Sequence, residues 1–481
     1  MAVEEETCDV CIVGAGLAGM NALFVVSKYL TPGQRVILVD RRARVGGMWV
    51  DTYPYVRLHQ PHGMFTAGDI EWTLNAKPSH LASKGEVLHH FQHCLDVIKR
   101  DTRVDEFFGW GLESDEEADG GVRVTCRSAE GRTMVIETGK LIKAYGFRVE
   151  PNDPLTLGSP HVRSVSPDSC DMRSPQIRDS GKPVWIIGGG KTAMDTAHTL
   201  ITADPGREVN LVTGPGTFFN NRDQFFPTGF RRWVGGTTVG KLGSQIAQRY
   251  DGTNEEEVWD WHRSTYGVWA TEPTGSFVLG VLSSAEKNAI SAGLSAAVND
   301  YLVDVVDEGD STELVLRGGG RHPVERGSWI VNCTGYVTQR EDPYEPYVSA
   351  GGNVLSISPR SATLHLTSYM AYFGTHLLLT DTLRTLPLYE IDLFALQRKS
   401  KKAFPYATFT LVQHNMSLLA DSLPNKVFRE CGLDFNRWYP FPRQLATNVK
   451  FLRTHRAERE RHRRTLDTLR ERFGVRCGPL V

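Results

Sequence analysis

The sequence predicts an α/β fold in which two strand–turn–helix units of the same design lie in one chain. Three observations predict it. A glycine-rich turn beginning at Gly14 follows a short apolar run, and a second begins at Gly188 after another such run. Each turn precedes a stretch with helical periodicity. Each helix is followed by a further apolar run, RVILVD and EVNLVTG, as expected for parallel strands.

The first unit has the order that binds an adenine dinucleotide. Residues 8–13 predict a buried strand, followed directly by GAGLAG and the helical run MNALFVVSKYL. Gly14 permits the tight turn, Gly16 lets a pyrophosphate approach the backbone, and Gly19 lets helix and strand pack closely. The next strand ends in Asp40, whose carboxylate would bind ribose hydroxyls. A helix-packing glycine cluster is the alternative.

The second unit repeats the pattern. Residues 184–187 predict a strand, and Gly188, Gly190 and Ala193 form G-x-G-x-x-A at the start of a helix. The following strand places Thr213 where an NAD-selective site carries Asp or Glu. We therefore expect two Rossmann-like dinucleotide-binding domains.

The neighbouring cations favour NADPH over NADH at the second site. Lys191 and Arg222 lie near the turn in sequence, and arginine is suited to bidentate phosphate contacts. Both could instead be solvated surface charges.

Composition excludes several classes of protein. The net charge of -2 over 481 residues gives no field that would attract nucleic acid or a membrane surface. The acidic start MAVEEETCDV has no basic region leading into an apolar one, which favours a cytosolic setting. The apolar run around the first glycines is better explained by that turn than by a membrane span. We expect a cytoplasmic protein without metal. Cys8 and Cys11 are expected to be structural, because a strand places residues three apart on opposite faces.

In their order, the motifs resemble those of the flavin-containing monooxygenases and their Baeyer–Villiger relatives. VGGMW is similar to the family's GGxW, and Tyr53-Pro54 is similar to a YP of the Baeyer–Villiger branch. KAYGFRVEPNDP (143–154) resembles the link between domains, and WIVNCTGY (329–336) resembles the strand that returns the chain to the first domain. Tyr145 replaces a family Thr, and the F-x-G-x-x-x-H signature is reduced to a displaced His161.

The resemblance implies FAD at the first site and NADPH at the second. The FAD-binding domain would comprise 1–160 and 332–481, and the NADPH-binding domain 161–331, with an aromatic-rich insertion at about 216–282. A disulfide reductase would also have two such sites, but it needs a redox cysteine pair after the first unit, and none follows Asp40.

The chemistry implied is monooxygenation of a small organic substrate by O2 through a flavin (hydro)peroxide, most often at N or S. The alternatives are Baeyer–Villiger oxidation of a ketone, NADPH oxidase activity, halide oxidation as in flavin-dependent halogenases, and a flavin-binding redox sensor without turnover. The Baeyer–Villiger route needs a cation near the peroxide, for which Arg222, Arg231 and Arg232 are candidates.

The loop after Asp40 supplies most of the candidate site. Gly47, Met48 and Trp49 would lie against the flavin ring, with a simple turn as the alternative. The catalytic candidates are Arg57, His59 and Gln60. Gln60 could donate a hydrogen bond to the oxygen adduct, and His59 could set its protonation near neutral pH. Structural roles for both remain equally open.

Three further segments carry expectations. The aromatic residues of 217–277 form either a core or a substrate wall. Gly374 is expected at the start of a helix whose N-terminus faces the flavin, an ordinary core helix being the alternative. The Arg- and Glu-rich run from 448 to 473 predicts a long helix that is either solvated or a contact in a homodimer.

Overall fold

A computed structural model describes residues 3–118, 120–146, 149–335 and 342–480. Its strands, in chain order, are β1 (Glu4–Val13), β2 (Arg35–Asp40), β3 (Arg103–Phe108), β4 (Trp110–Ala118), β5 (Gly121–Ser128), β6 (Thr133–Lys143), β7 (Arg163–Val165), β8 (Val184–Ile187), β9 (Val209–Val212), β10 (Phe219–Asn221), β11 (Gly267–Val268), β12 (Val281–Leu282), β13 (Ala296–Val298), β14 (Leu302–Glu308), β15 (Ser311–Leu316), β16 (Arg321–Pro323), β17 (Trp329–Asn332), β18 (Val354–Ser356), β19 (Tyr389–Ile391) and β20 (Cys477–Pro479).

The α-helices are α1 (Leu17–Ser27), α2 (Lys84–Ile98), α3 (Pro175–Arg178), α4 (Lys191–Ala203), α5 (Arg222–Phe225), α6 (Arg231–Val234), α7 (Val239–Arg249), α8 (Glu255–Tyr266), α9 (Ser284–Gly293), α10 (Thr367–Leu379), α11 (Leu393–Lys399), α12 (Ala403–Ser422), α13 (Asn425–Glu430) and α14 (Phe441–Phe473). Short 3₁₀ turns cover Gly47–Val50, His62–Met64, Pro359–Ser361 and Phe435–Trp438.

The first sheet has the strand order β3-β2-β1-β6-β5-β4, and β18 pairs with the end of β6. Strands β3, β2, β1, β6 and β18 run parallel, whereas β4, β5 and β6 form an antiparallel meander. The apolar ends of β1 and β2 are buried, as expected for central parallel strands covered on both faces. Helix α1 follows β1 directly and packs against α10.

The second sheet is wholly parallel, with the order β13-β9-β8-β17-β7. All its strands lie in sequence between β6 and β18 of the first sheet. The second unit is therefore inserted in the first, as the resemblance implies. Strands β14, β15 and β16 form a separate antiparallel meander.

The aromatic-rich segment joins both units. Phe218, Phe225, Trp259 and Tyr266 are buried in the core cluster that contains α1 and α10, not in the cluster of the second sheet. Helix α7 of this segment packs against α12, which packs in turn against α14. Most of these aromatic residues are therefore core, although Phe230 is 76% exposed.

The cysteine argument from strand alternation is wrong in one respect. Cys8 and Cys11 share one core cluster and hydrogen-bond each other, so they do not lie on separate faces of β1. All eight cysteines are free. Among the residues that the structure describes, no group of His, Cys, Asp or Glu could hold a metal ion. Within the same residues, no helix combines the length and apolar character needed to cross a membrane.

Candidate active site

The first glycine turn, residues 14–19, has room only for glycine at two of its positions. Gly14 has a φ of +108°, and a Cβ there would lie 2.7 Å from the carbonyl oxygen of Ala144. A Cβ on Gly19 would lie 1.7 Å from the carbonyl oxygen of Gly14. Helix α1 thus starts as close to β1 as its backbone allows, with Gly16 as its N-cap. Its first N–H groups are placed for an anionic ligand.

Asp40 ends β2 beside this turn, as the sequence predicts. Its side chain is buried, and its two oxygens accept hydrogen bonds from the backbone N–H of Ala15 at 2.6 Å and of Arg42 at 2.8 Å. The carboxylate is thereby held at the mouth of the turn.

The GGMW loop is pressed onto the glycine turn. The N–H of Gly46 donates to the carbonyl of Ala15 at 2.9 Å. Gly47 has a φ of +56°, and a Cβ there would lie 2.7 Å from the Cα of Gly16. Trp49 packs edge-on against Phe65 with ring centroids 5.6 Å apart. The loop and the turn therefore form one surface.

A cavity of about 810 Å³ lies along this surface, and we call it the first cavity. Its walls combine the glycine turn, the GGMW loop, the start of α4 and the start of α10. The sequence-predicted residues that line it are Gly14, Gly16, Asp40, Gly47, Met48, Trp49, Arg57, His59, Gln60 and Lys191. The cavity lies within the usual size range of cofactor and ligand sites.

The three catalytic candidates differ in their surroundings. Arg57 is exposed and donates to the carbonyl of Leu81 at 3.2 Å. Burial, together with the nearby Lys191 and Arg222, lowers the pKa of His59 to about 4. His59 is therefore neutral at pH 7, and the expectation that it titrates near neutral pH is wrong. Gln60 is half-buried at the cavity wall.

The second glycine turn has similar geometry. Gly188 has a φ of +132°, and a Cβ there would lie 2.3 Å from the carbonyl oxygen of Cys333. Gly190 is the exposed N-cap of α4, and Ala193 is buried where the helix meets the sheet. The exposed N-terminus of α4 leaves room for a phosphate group.

Side chains of the GGMW-to-Gln60 loop hold the second unit. The hydroxyl of Tyr53 donates to Asp195 Oδ2 at 2.9 Å, and Asp195 also pairs with Lys191. The hydroxyl of Tyr55 and Thr196 Oγ1 are 2.7 Å apart. The start of α4 is thereby fixed at the edge of the first cavity.

Arg222 does not lie free for a phosphate. Its guanidinium donates to the carbonyl of His59 at 2.7 Å and forms a bidentate pair with Glu286, with one contact of 2.7 Å. Burial alone would raise the pKa of Glu286, but the nearby Arg222 and Lys191 lower this pKa to about 2. The prediction that Arg222 binds the 2′-phosphate is therefore not supported, because the side chain joins this segment to the first unit.

Thr213 follows β9 at the predicted position. Its hydroxyl donates to Asn299 Oδ1 at 2.8 Å, and its side chain is buried. The side chain at this position therefore carries no negative charge that would repel a 2′-phosphate.

Gly374 does not start a helix, so the expectation for this residue is wrong. It lies inside α10, where a Cβ would meet the Leu355 side chain at 3.1 Å, and it serves close packing of α10 on β18. The N-terminus of α10 is at Thr367, and residues 366–368 line the first cavity. A helix start does face the site, seven residues earlier in sequence than expected.

Sequence reasoning missed several residues of the site. Leu279 lines the cavity with a φ of +53°, an unusual conformation for a residue with a branched side chain. His365, before α10, also lines the cavity. Neither belongs to a motif, so no sequence signal identified them. Phe147, Arg148 and Tyr336, from the two family-like segments, lie outside the described residues.

Comparison with known proteins places this geometry in context. Residues 8–226 match the family model described as pyridine nucleotide-disulphide oxidoreductase. The oxidised steroid monooxygenase bound to NADP superposes on 94% of this chain and 98% of its own, with a TM-score of 0.51 and 14% identity. The open form of cyclohexanone monooxygenase covers 78% of this chain and 87% of its own, with a TM-score of 0.50 and 15% identity.

This chain has the fold of the flavoprotein monooxygenases. The predicted fold class is confirmed, as is the predicted resemblance to the flavin-containing and Baeyer–Villiger monooxygenases. The flavoprotein monooxygenase fold accounts for both glycine turns.

Two mycobacterial relatives match part of the chain. The uncharacterized protein Rv2000 of Mycobacterium tuberculosis is 29% identical over 212 residues, 41% of this chain and 36% of that protein. "Putative FAD-containing monooxygenase MymA", also of Mycobacterium tuberculosis, is 26% identical over 213 residues, 42% of this chain and 41% of that protein. This chain thus matches well under half the length of these relatives.

Proposed function

We propose that this protein is an FAD- and NADPH-dependent monooxygenase that uses O2 to oxygenate a small organic substrate, most often at N or S. The observation that carries the proposal is the first cavity. It brings the glycine turn, the GGMW loop, and the starts of α4 and α10 to one space. Ligand sites in α/β proteins form at such crevices beyond the carboxyl ends of strands.

The residues present fit FAD at the first turn. The space in front of Gly14, Gly16 and Gly19 would accept a pyrophosphate, and Asp40 is held where it would meet ribose hydroxyls. Gly47, Met48 and Trp49 would lie against the flavin ring. The start of α10, residues 366–368, would place backbone N–H groups toward the anionic end of the reduced ring.

NADPH would bind at the second turn, with its phosphates at Gly188, Gly190 and the start of α4. Preference over NADH is supported by Thr213, because no carboxylate at this position repels a 2′-phosphate. Lys191 borders both the turn and the first cavity, and Asp195 holds it in place. A nicotinamide placed there would reach the flavin side of the cavity.

Bound FAD, reduced by NADPH, would supply the flavin (hydro)peroxide that transfers oxygen. The residues of this chain would bind and orient the reactants. Gln60 would donate an amide hydrogen bond into the first cavity, and neutral His59 would offer one donor and one acceptor without adding charge. The carbonyl of His59 is fixed by Arg222, which keeps this part of the loop in register.

We also propose an FAD-binding domain of 1–160 and 332–481 and an NADPH-binding domain of 161–331, with an aromatic-rich insertion at about 216–282. The insertion would form part of the substrate wall through Phe225 and Phe226. A homodimer and a cytoplasmic location stay predictions.

The test is to purify the protein, record its flavin spectrum, and measure NADPH and O2 consumption against peroxide release with amines, thioethers and ketones. Substrate-dependent NADPH consumption with an oxygenated product is expected. A protein that binds no flavin contradicts the whole proposal. Release of peroxide in full stoichiometry would indicate an NADPH oxidase, and halide-dependent products would indicate a halogenase. Esters formed from ketones would indicate the Baeyer–Villiger route. A bound flavin that NADPH cannot reduce would indicate a sensor.

The role of Gln60 has a matched control. Gln60→Ala should shorten the lifetime of the oxygen adduct, followed by stopped-flow absorbance, and should increase peroxide release. Gln92 bonds Asp96 on α2 and does not line the first cavity, so Gln92→Ala should change neither quantity. An unchanged adduct lifetime in Gln60→Ala would remove Gln60 from the mechanism.

A further inference from the structure

A second, larger cavity of about 1200 Å³ lies between α7, α12 and the first half of α14, and we call it the apolar cavity. Most of the side chains that line it on α12 are apolar, among them Phe409, Val412 and Met416. Its volume exceeds that of most small-molecule sites. A compact substrate would not fill it.

The apolar cavity adjoins the first cavity. The side chains that line both are Val239, His365, Tyr369, Phe409 and Phe435. A single layer of side chains therefore separates the two spaces. Tyr369 and Phe409 of this layer are buried, so joining the two spaces requires their side chains to move.

The outer end of the apolar cavity is open and apolar. Phe441, Leu445 and Leu452 of α14 line it, although they are 71%, 48% and 53% exposed. The lysines that line it, Lys241 and Lys450, are also exposed. The cavity wall also carries other charged side chains, namely Arg429, Asp434, Arg437, Arg443 and Glu458. Exposed apolar side chains grouped at one opening are typical of a binding site.

His365 marks the inner end of the apolar cavity. It precedes the start of α10, and its ring lies 5.0 Å from that of Tyr369. Its Nδ1 is buried without a hydrogen-bond partner among the described residues. Burial lowers the pKa of His365 to about 4, so the ring is neutral at pH 7. An unpaired buried nitrogen at this junction is available to a polar group of a ligand.

We infer that the apolar cavity is the substrate channel, and that the substrate is an elongated, mainly apolar molecule. Its apolar body would lie between α7, α12 and α14, and its reacting group would pass His365 to reach the first cavity. This inference rests on the proposed monooxygenase function. It adds the substrate class and the route, which the two cofactor sites alone do not define.

The binding test uses cis-parinaric acid, a fluorescent long-chain probe, with the full-length protein. The wild-type protein should bind the probe saturably. Met416→Trp, which fills the apolar cavity from α12, should weaken binding about tenfold, because an overpacked cavity has no room for the chain. Leu452 is exposed, so the variant Leu452→Glu should fold. The added charge beside the apolar side chains of the opening should also weaken binding of the probe.

Val303→Ser is the matched control, because Val303 is 62% exposed and does not line the apolar cavity. It should bind the probe as the wild-type protein does. Absence of saturable binding to the wild-type protein, or equal binding by all variants, would overturn the inference.

Turnover provides the second readout. Methyl dodecyl sulfide should be oxidised with a lower KM than methyl butyl sulfide. Met416→Trp should raise the KM for the dodecyl sulfide more than the KM for the butyl sulfide, whereas Val303→Ser should change neither. Flavin content and reduction by NADPH are measured on the same preparations. Loss of these in the wild-type protein contradicts the proposed function and leaves probe binding unaffected, so the two failures are distinguishable.

Discussion

Gly47→Ala is the sharpest test of how the GGMW loop meets the first glycine turn. Gly47 has a φ of +56°, where an alanine costs about 1 to 2 kcal/mol. The added Cβ would also lie 2.7 Å from the Cα of Gly16, a backbone atom that no rotamer change can move. The loop must therefore lift from the turn. The conformational strain alone would lower the affinity for FAD by about five- to thirtyfold. The close contact between the new Cβ and Gly16 would lower the affinity further.

The assay is titration of the apoprotein with FAD, with the flavin-to-protein absorbance ratio after dialysis as a second measurement. Gly63→Ala is the control, because Gly63 lies in the 3₁₀ turn His62–Met64 shortly after this loop, has no positive φ, and a Cβ there would meet no atom within 4 Å. It should retain FAD. Wild-type FAD affinity in a folded Gly47→Ala, shown by unchanged circular dichroism, would refute the reasoning about this contact.

Three further predictions concern the second unit. Thr213→Glu places a carboxylate at the end of β9. In steady-state kinetics, the ratio of the kcat/KM values should shift from NADPH toward NADH by about tenfold or more. An unchanged ratio would remove Thr213 from cofactor selection. Glu286→Gln leaves the largely buried Arg222 without a carboxylate and should lower the free energy of unfolding by about 2 to 3 kcal/mol in urea titrations, whereas a change within error would show the pair to be dispensable. Burial lowers the pKa of His262 to about 3. Its neutral form, bonded to Asn220, stabilises the fold above the unfolded pKa of about 6.5, and by pH 5 about 2 kcal/mol of this is lost. His262→Gln should reduce this loss between pH 7 and pH 5, and an equal loss would assign the acid sensitivity to other groups.

The parts of the fold that sequence predicts are those encoded locally. Gly14 and Gly188 lie next to the strands and helices they join, so the turn chemistry is complete within a dozen residues. The apolar run around Gly374 likewise predicts a helix, but not its start. That start depends on packing of α10 against α1, which lies over 300 residues away in sequence.

Long-range pairing explains the other differences between prediction and structure. Arg222 has a sequence position that suits a phosphate, yet its partner Glu286 lies 64 residues further on, and no periodic pattern links the two. His59 has an ordinary sequence context, and its low pKa arises because the fold buries it beside Lys191 and Arg222. Pattern reasoning identifies the residue types of a site, whereas their charge state depends on contacts between distant segments.

The loop from Gly46 to Gln60 is dense in aromatic and polar residues because it faces two partners at once. Its glycines lie on the first turn, whereas Tyr53 and Tyr55 bond the side chains of α4 and the carbonyl of His59 accepts from Arg222. If ligands bind at both turns as proposed, we expect the two binding events to be energetically coupled through this one short segment, because it contacts both turns.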